Sequence, residues 1–148
     1  MMRLVAAWGL AWLALGIYAL DQAKRSAPAE DWMDVKSVVV HPTFEGAPPL
    51  MTVGRIVKQK FVGEWSATVR RFTHDGTEVV CTATGKNEYK SESMLPKNLN
   101  LDWWTFPVKC QLPVGTYRVD TVWTIKPDGY PEKHLIRDSN VFEVRPKG

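Results

Sequence analysis

The chain has 148 residues, a formal net charge of +3 and a sequence pI near 8.9. No basic run is longer than Lys24-Arg25 or Arg70-Arg71, so the basic stripe of a nucleic-acid-binding domain is missing and no nucleic-acid partner is expected. Of the first 20 residues only Arg3 is charged, and the rest of the chain is about one domain's worth of polypeptide.

The N-terminus reads as a membrane segment. Leu4 to Leu20 carries no charge; as a helix it spans roughly 25 Å, the lower limit for crossing a bilayer. A secretory signal has the same outline, but the best small-residue cleavage site, Ala27-Pro-Ala29, lies behind Lys24 and Arg25, an unusual place for charge in a cleavable signal. The expectation is an uncleaved anchor over 1–20 that contacts membrane through residues 4–20, with cleavage and secretion as the alternative. Arg3 and the α-amine on one side balance Lys24 and Arg25 on the other, so charge alone does not orient it. The Ala and Gly content also fits a packing span, or one weakly hydrophobic enough to leave the bilayer, as in regulators of phage lysis.

Residues 21–34 are polar and without period, which predicts a linker. A domain over 35–148 follows. Asp34 to His41, with Val38-Val-Val40, predicts a strand ended by Pro42, and Pro42 to Pro49 a loop or crossover between sheets. Thr52 to Lys58 and Phe61 to Arg71 predict strands, the second with Phe61, Gly63, Trp65, Ala67 and Val69 on one face. His74-Asp-Gly-Thr77 predicts a hairpin turn, with the chain returning over Glu78 to Thr84. Gly85 to Asn100 reads as a long loop, a feature that is often functional. Leu101 to Val108 predicts a strand carrying Trp103, Trp104 and Phe106.

The clearest signal is Thr116 to Ile125. Tyr117, Val119, Thr121, Trp123 and Ile125 share one face; Thr116, Arg118, Asp120 and Thr124 share the other, with Val122 the apolar exception. That alternation predicts a half-buried strand, with Asp120 in solvent. The turn Lys126-Pro-Asp-Gly129, an unassigned piece to Arg137 and a last strand over Asn140 to Arg145 complete the chain. About seven short strands with turn signals between them predict an all-β domain, a single antiparallel β-sandwich behind one apolar helix.

Leu112-Pro113-Val-Gly115-Thr-Tyr117 resembles the tyrosine corner of immunoglobulin-like and fibronectin-type-III-like domains. The resemblance implies that sandwich over about residues 35–146, with Pro113, Gly115 and Tyr117 forming the corner and the Tyr117 hydroxyl bonding back to upstream backbone. One departure is plain: the position two residues after the tyrosine is Val119, where an antibody-type domain has cysteine.

Cys81 and Cys110 are the two cysteines. Outside the cytoplasm they are expected to form a disulfide, which places the domain in the periplasm of a bacterial inner-membrane protein. Two buried thiols in a cytoplasmic domain are the alternative. Neither they nor His41, His74 and His134 have metal-site spacing, and no nucleophile elbow, zinc-protease, phosphate-loop or dinucleotide motif occurs. The expectation is a non-enzyme without cofactor or metal.

Trp103-Trp104 is the sharpest binding candidate. Neighbours on a strand point to opposite faces, so only one of the two rings can enter the core; the other is exposed, faces a partner, or is covered by the long loop before it. With Tyr89 and Met94 of the long loop, the pair defines the expected binding surface. The leading functional expectation is a membrane-anchored, periplasmic, non-catalytic module that binds an envelope protein. The alternatives are a glycan- or peptidoglycan-binding module using the tryptophans, and a phage-encoded lysis or superinfection-exclusion regulator.

Overall fold

The computed structural model describes residues 2–91, 99–105 and 109–148. It opens with a helix, α1 (Met2–Ser26), and a single 3-10 turn at Ala29–Asp31, followed by strands β1 (Met33–Val40), β2 (Thr43–Phe44), β3 (Leu50–Val57), β4 (Phe61–Thr73), β5 (Gly76–Tyr89) and β6 (Leu99–Asn100). A short helix α2 (Leu101–Thr105) then leads to β7 (Gly115–Lys126), β8 (Lys133–Asp138) and β9 (Phe142–Arg145).

The strands form two sheets. One is three-stranded, in the order β1-β3-β6; the other runs β2-β9-β7-β4-β5, with β8 also pairing along β7. All pairings are antiparallel except that of β2 with β9. Val35, Val40, Met51 and Val57 of the smaller sheet meet Ala67, Val69, Tyr117, Val119, Trp123 and Ile125 of the larger in one buried core. The sandwich expected from the alternating runs is therefore present. Of the nine strands among the described residues, β2 and β6 have two residues each, too short for any period-2 signal; six of the other seven were expected, and β8 was not.

β7 organises the larger sheet. One edge pairs along β4 from Val62↔Lys126 to Arg71↔Tyr117. The other pairs first with β9 at Gly115–Tyr117 and then with β8 at Asp120–Ile125. Its inward face is the one read from the sequence. Thr121, fully buried there, donates its hydroxyl hydrogen bond to the Arg137 carbonyl, which removes the penalty of an unpaired buried hydroxyl. Val122 lies opposite Ile136 on the outer face, so the apolar exception has an apolar neighbour. Asp120 is not simply solvated: it accepts from Arg70 Nε at 2.6 Å and Arg118 Nε at 2.7 Å.

The strand β8 is a correction to the unassigned piece before Arg137. Its inward positions are Lys133, Leu135 and Arg137, with Lys133 and Leu135 buried. Two of three are basic, so hydrophobic alternation fails even though their aliphatic stems are covered. Arg137 Nε donates to the Val35 carbonyl at 3.2 Å, and Asn140 receives the Val40 N–H at 2.8 Å while donating to the Val40 carbonyl at 2.9 Å. These bonds latch the edge of β1 to the β8–β9 corner and close one side of the sandwich.

Two further segments differ from expectation. The helix continues past Leu20 to Ser26, and Ala29, Trp32 and Met33 are buried, so 21–34 is part helix and part domain edge rather than a free spacer. Of the strand expected over Leu101 to Val108, Leu101–Thr105 is helical and 106–108, with Phe106, lies outside the described residues; in so short an apolar run periodicity does not separate helix from strand. Strand β5 also runs on to Tyr89 through the start of the expected loop. Among the described residues, α1 is the one helix long and apolar enough to cross a membrane, over Val5–Ser26, and none of that stretch is buried. Trp8, Leu10, Trp12, Leu13, Leu15 and Ile17 all project outward.

Candidate binding surface

The side of the sandwich opposite the β8–β9 latch is closed by aromatic rings and a disulfide. Trp65 on β4 and Trp123 on β7 are register partners on the inner face. Trp65 lies across Gly85 of β5, where a Cβ would stand 2.5 Å from the indole; only glycine leaves room for that ring. The α2 turn begins where the Leu101 N–H donates to the Pro49 carbonyl at 2.9 Å. Leu101 and Trp104, three apart on one helical face, are both buried. The Trp104 ring meets Trp65 edge-on at 5.0 Å and Trp123 at 6.2 Å, arrangements that aromatic quadrupoles favour.

Trp103 points the other way. Its side chain is 52 % exposed, against 2 % for Trp104, while the two rings stay in edge contact at 5.9 Å. One ring in and one ring out is the division expected from the sequence, but a helical turn produces it, with neighbours about 100° apart. Tyr89 is not on this surface: it is buried, stacked on Phe61 at 4.6 Å with the Arg55 guanidinium 5.1 Å above its ring. Met94 lies outside the described residues.

Cys81 on β5 and Cys110 are joined by a disulfide with Cα atoms 5.9 Å apart, within the normal span for such a bond. It holds the strap 109–113 against the sandwich. At the end of that strap the Tyr117 hydroxyl donates to the Pro113 carbonyl, the bond implied by the tyrosine-corner resemblance. Gly115 abuts the Arg71 guanidinium, with Nε 2.9 Å from where a Cβ would stand, and Arg71 donates to the Val114 carbonyl at 2.9 Å. Replacing Tyr117 with Phe leaves the Pro113 carbonyl without the hydroxyl donor and is expected to cost about 1–2 kcal/mol, read as a lower urea midpoint with unchanged slope.

Between the strap and the Glu45–Pro49 loop lies a recess of about 570 Å³. Glu45, Asp102, Lys109 and Gln111 supply its polar lining, and Pro48, Pro49 and Pro113 its rigid apolar walls. The loop is fixed by the Glu45 N–H on the Arg145 carbonyl at 2.8 Å and by Gly46 in a left-handed turn at φ +85°. The register places this recess at one pole: β1 ends there and β3 and β7 begin there, while α1 meets the opposite pole. Asp102 of the α2 turn lines the recess, and Trp103 follows it on the next side of that turn. Sequence reasoning missed Asp102, Lys109 and Glu45, which are single charges in irregular segments. It also passed over Arg55, whose inward parity was readable from Val53 and Val57 on the same strand.

Burial pushes the Tyr89 and Tyr117 hydroxyls above the ordinary phenol value; Arg55 opposes the shift at Tyr89 and Arg71 at Tyr117. A phenol whose folded value is raised contributes stability that is fully present below the unfolded value of about 10 and is lost as pH rises through the folded one. Urea unfolding followed from pH 8 to 11 is therefore expected to be level at first and to weaken above about pH 10, with Tyr117→Phe showing a smaller decline. Desolvation lowers the Arg55 guanidinium, yet it remains a cation throughout this range.

No family model and no curated protein matches this chain. The fold and surface define a class all the same: a two-sheet β domain behind an apolar helix, with a disulfide-held strap and a half-exposed tryptophan at one corner. Among the described residues no group of His, Cys, Asp and Glu is arranged to hold a metal ion.

Proposed function

We propose that the chain is a membrane-anchored, non-catalytic module whose immunoglobulin-like domain is exported to the bacterial periplasm and binds a protein of the envelope. The observation that carries this reading is the half-exposed Trp103 on the α2 turn, the same turn that lends Asp102 to the strap-walled recess at the pole opposite α1. A partner approaching from above the membrane meets that pole first. The immunoglobulin-like kinship is supported by strand order: β1, β3, β4, β5 and β7 take the places of strands A, B, C, C′ and F, and β8 with β9 that of strand G. The Tyr117–Pro113 bond sits at the start of strand F, as in that class. The disulfide supports export, since such bonds persist in oxidising compartments.

The test is made on the full chain in expressing bacteria. Expected results are a membrane-bound protein with oxidised Cys81 and Cys110 whose domain is cut by protease in spheroplasts. A photo-crosslinker in place of Trp103 is then expected to capture one reproducible envelope protein, while the same group at Ile136 on the outer sheet face captures none. Free, protease-protected thiols would overturn the location, and loss of site dependence would overturn the binding surface. The half-exposed indole also supports a glycan-binding reading, because a flat ring stacks on sugars; sugar-dependent quenching of Trp fluorescence that disappears in Trp103→Ala would favour it over a protein partner.

A further inference from the structure

The pole that α1 enters carries its own surface. β1 starts and β3 ends there, with Met33 opposite Val57, and β4 starts and β7 ends there, with Val62 opposite Lys126. Two turns therefore flank the end of α1: Lys58–Lys60 between β3 and β4, and Pro127–Glu132 between β7 and β8. The helix is fixed to this pole by specific contacts. Lys133 Nζ donates to the Lys24 carbonyl at 2.9 Å, near the helix C-terminus where a cation is favoured, and sits 5.4 Å from the Trp32 ring centre. Tyr130 meets Trp32 edge-on at 4.9 Å with Lys24 Nζ 5.8 Å from its own ring centre. The Trp32 carbonyl accepts the Lys58 N–H at 2.7 Å, so the lysine turn is tied to the chain just after the helix.

This geometry sets a distance. If the uncharged stretch ending at Leu20 spans the hydrocarbon, Asp21–Ser26 rises only about 9 Å further. The head-group layer on each side of a bilayer is itself about 5–8 Å deep. With no free spacer after Ser26, the two turns stand at the outer edge of that layer. Lys58 and Lys60 are exposed and make no salt bridge among the described residues; Asp34, which feels the charge of Lys58, is paired at 2.6 Å with Lys36. Tyr130, 43 % exposed, has the amphipathic ring typical of membrane interfaces.

We propose that this pole is a lipid-docking surface: Lys58 and Lys60 contact anionic phospholipid head groups, Tyr130 sits among them, and the domain is held upright with its opposite pole presented away from the membrane. The proposal rests on α1 remaining as a span. Acidic Asp128 and Glu132 share the second turn, so the attraction is assigned to the lysine turn and not to the pole as a whole.

The test uses the full chain in nanodiscs. A spin label is placed at Gln59→Cys, between the two lysines, or at His74→Cys on the far hairpin, leaving the disulfide intact. Accessibility to a water-soluble nickel complex reports immersion. In discs containing phosphatidylglycerol the label at 59 is expected to be shielded and the label at 74 open. Two lysines near an anionic leaflet shift the docked-to-lifted ratio roughly thirty-fold, so Lys58→Gln/Lys60→Gln, or discs of phosphatidylcholine alone, are expected to expose the label at 59. Equal accessibility at 59 and 74 in anionic discs would overturn the proposal, as would shielding at 59 that ignores both lipid charge and the lysine variant. Loss of the chain from the disc would overturn the anchor itself, an outcome distinct from an anchored chain whose domain stands clear.

Discussion

Replacing Cys81 and Cys110 together with serine is expected to lower the unfolding free energy by about 3.5 kcal/mol in the chain-entropy model, since the bond closes a loop with a sequence separation of 29. The loss arises largely in the unfolded chain, which regains the freedom of that loop. A structural consequence adds to it: the bond connects edge strand β5 to the strap that supplies the Pro113 carbonyl to Tyr117. Without it, the strap keeps the Tyr117 corner and the burial of Leu112 in the core. Urea unfolding of oxidised, reduced and double-serine protein checks this, with the reduced and serine forms expected to coincide. A midpoint unchanged on reduction would mean that the strap is held by packing alone.

The second large effect separates two neighbouring tryptophans. Trp104→Ala is expected to cost about 3–5 kcal/mol, the range for deleting a large buried aromatic side chain. Its ring fills the space between Trp65 and Trp123, and a cavity there has rings on two sides that cannot collapse without leaving their rotamers. Its buried indole N–H has no hydrogen-bond partner among the described residues, so little hydrogen-bond energy is lost with it. Trp103→Ala removes a half-exposed ring and is expected to change stability by less than about 1 kcal/mol, while weakening pull-down of the envelope partner. Thermal unfolding and pull-down with the same pair of variants check both halves. Equal destabilisation by the two changes would mean that Trp103 is packed rather than presented.

The lipid-facing pole and the partner-facing pole act together in this reading. Helix α1 enters one end of the sandwich through Lys133 and Trp32, and the recess lined by Asp102 and the strap opens at the other. Strands that run from pole to pole, with β7 pairing along both edges, make the domain a rigid spacer. A partner bound at the far pole is then held at a defined height above the bilayer, which a flexible linker would not provide.

The sequence alone determined the elements whose side chains obey one period for long enough. The alternation over Thr116–Ile125 settled β7 and its inward face, and Phe61–Arg71 did the same for β4. The Asp75-Gly76 turn was legible because Gly76 takes φ +146°, a conformation few residues adopt. The apolar stretch after Arg3 settled α1, and Leu112–Tyr117 pointed to the corner. Tertiary structure decided the rest, and the reasons are specific. β8 carries Lys133 and Arg137 on its inward face, and only the Lys24, Val35 and Glu30 acceptors supplied by distant segments explain how basic heads can lie there. The α2 turn depends on the Pro49 carbonyl and on the Trp65 and Trp123 rings, contacts that close only after both sheets are packed. Trp104 rather than Trp103 is the covered ring because the turn seats it against Trp65 and Trp123. Local periodicity records which face of an element is buried; it carries no record of which partner covers it, and that partner set both the binding corner and the seating of α1.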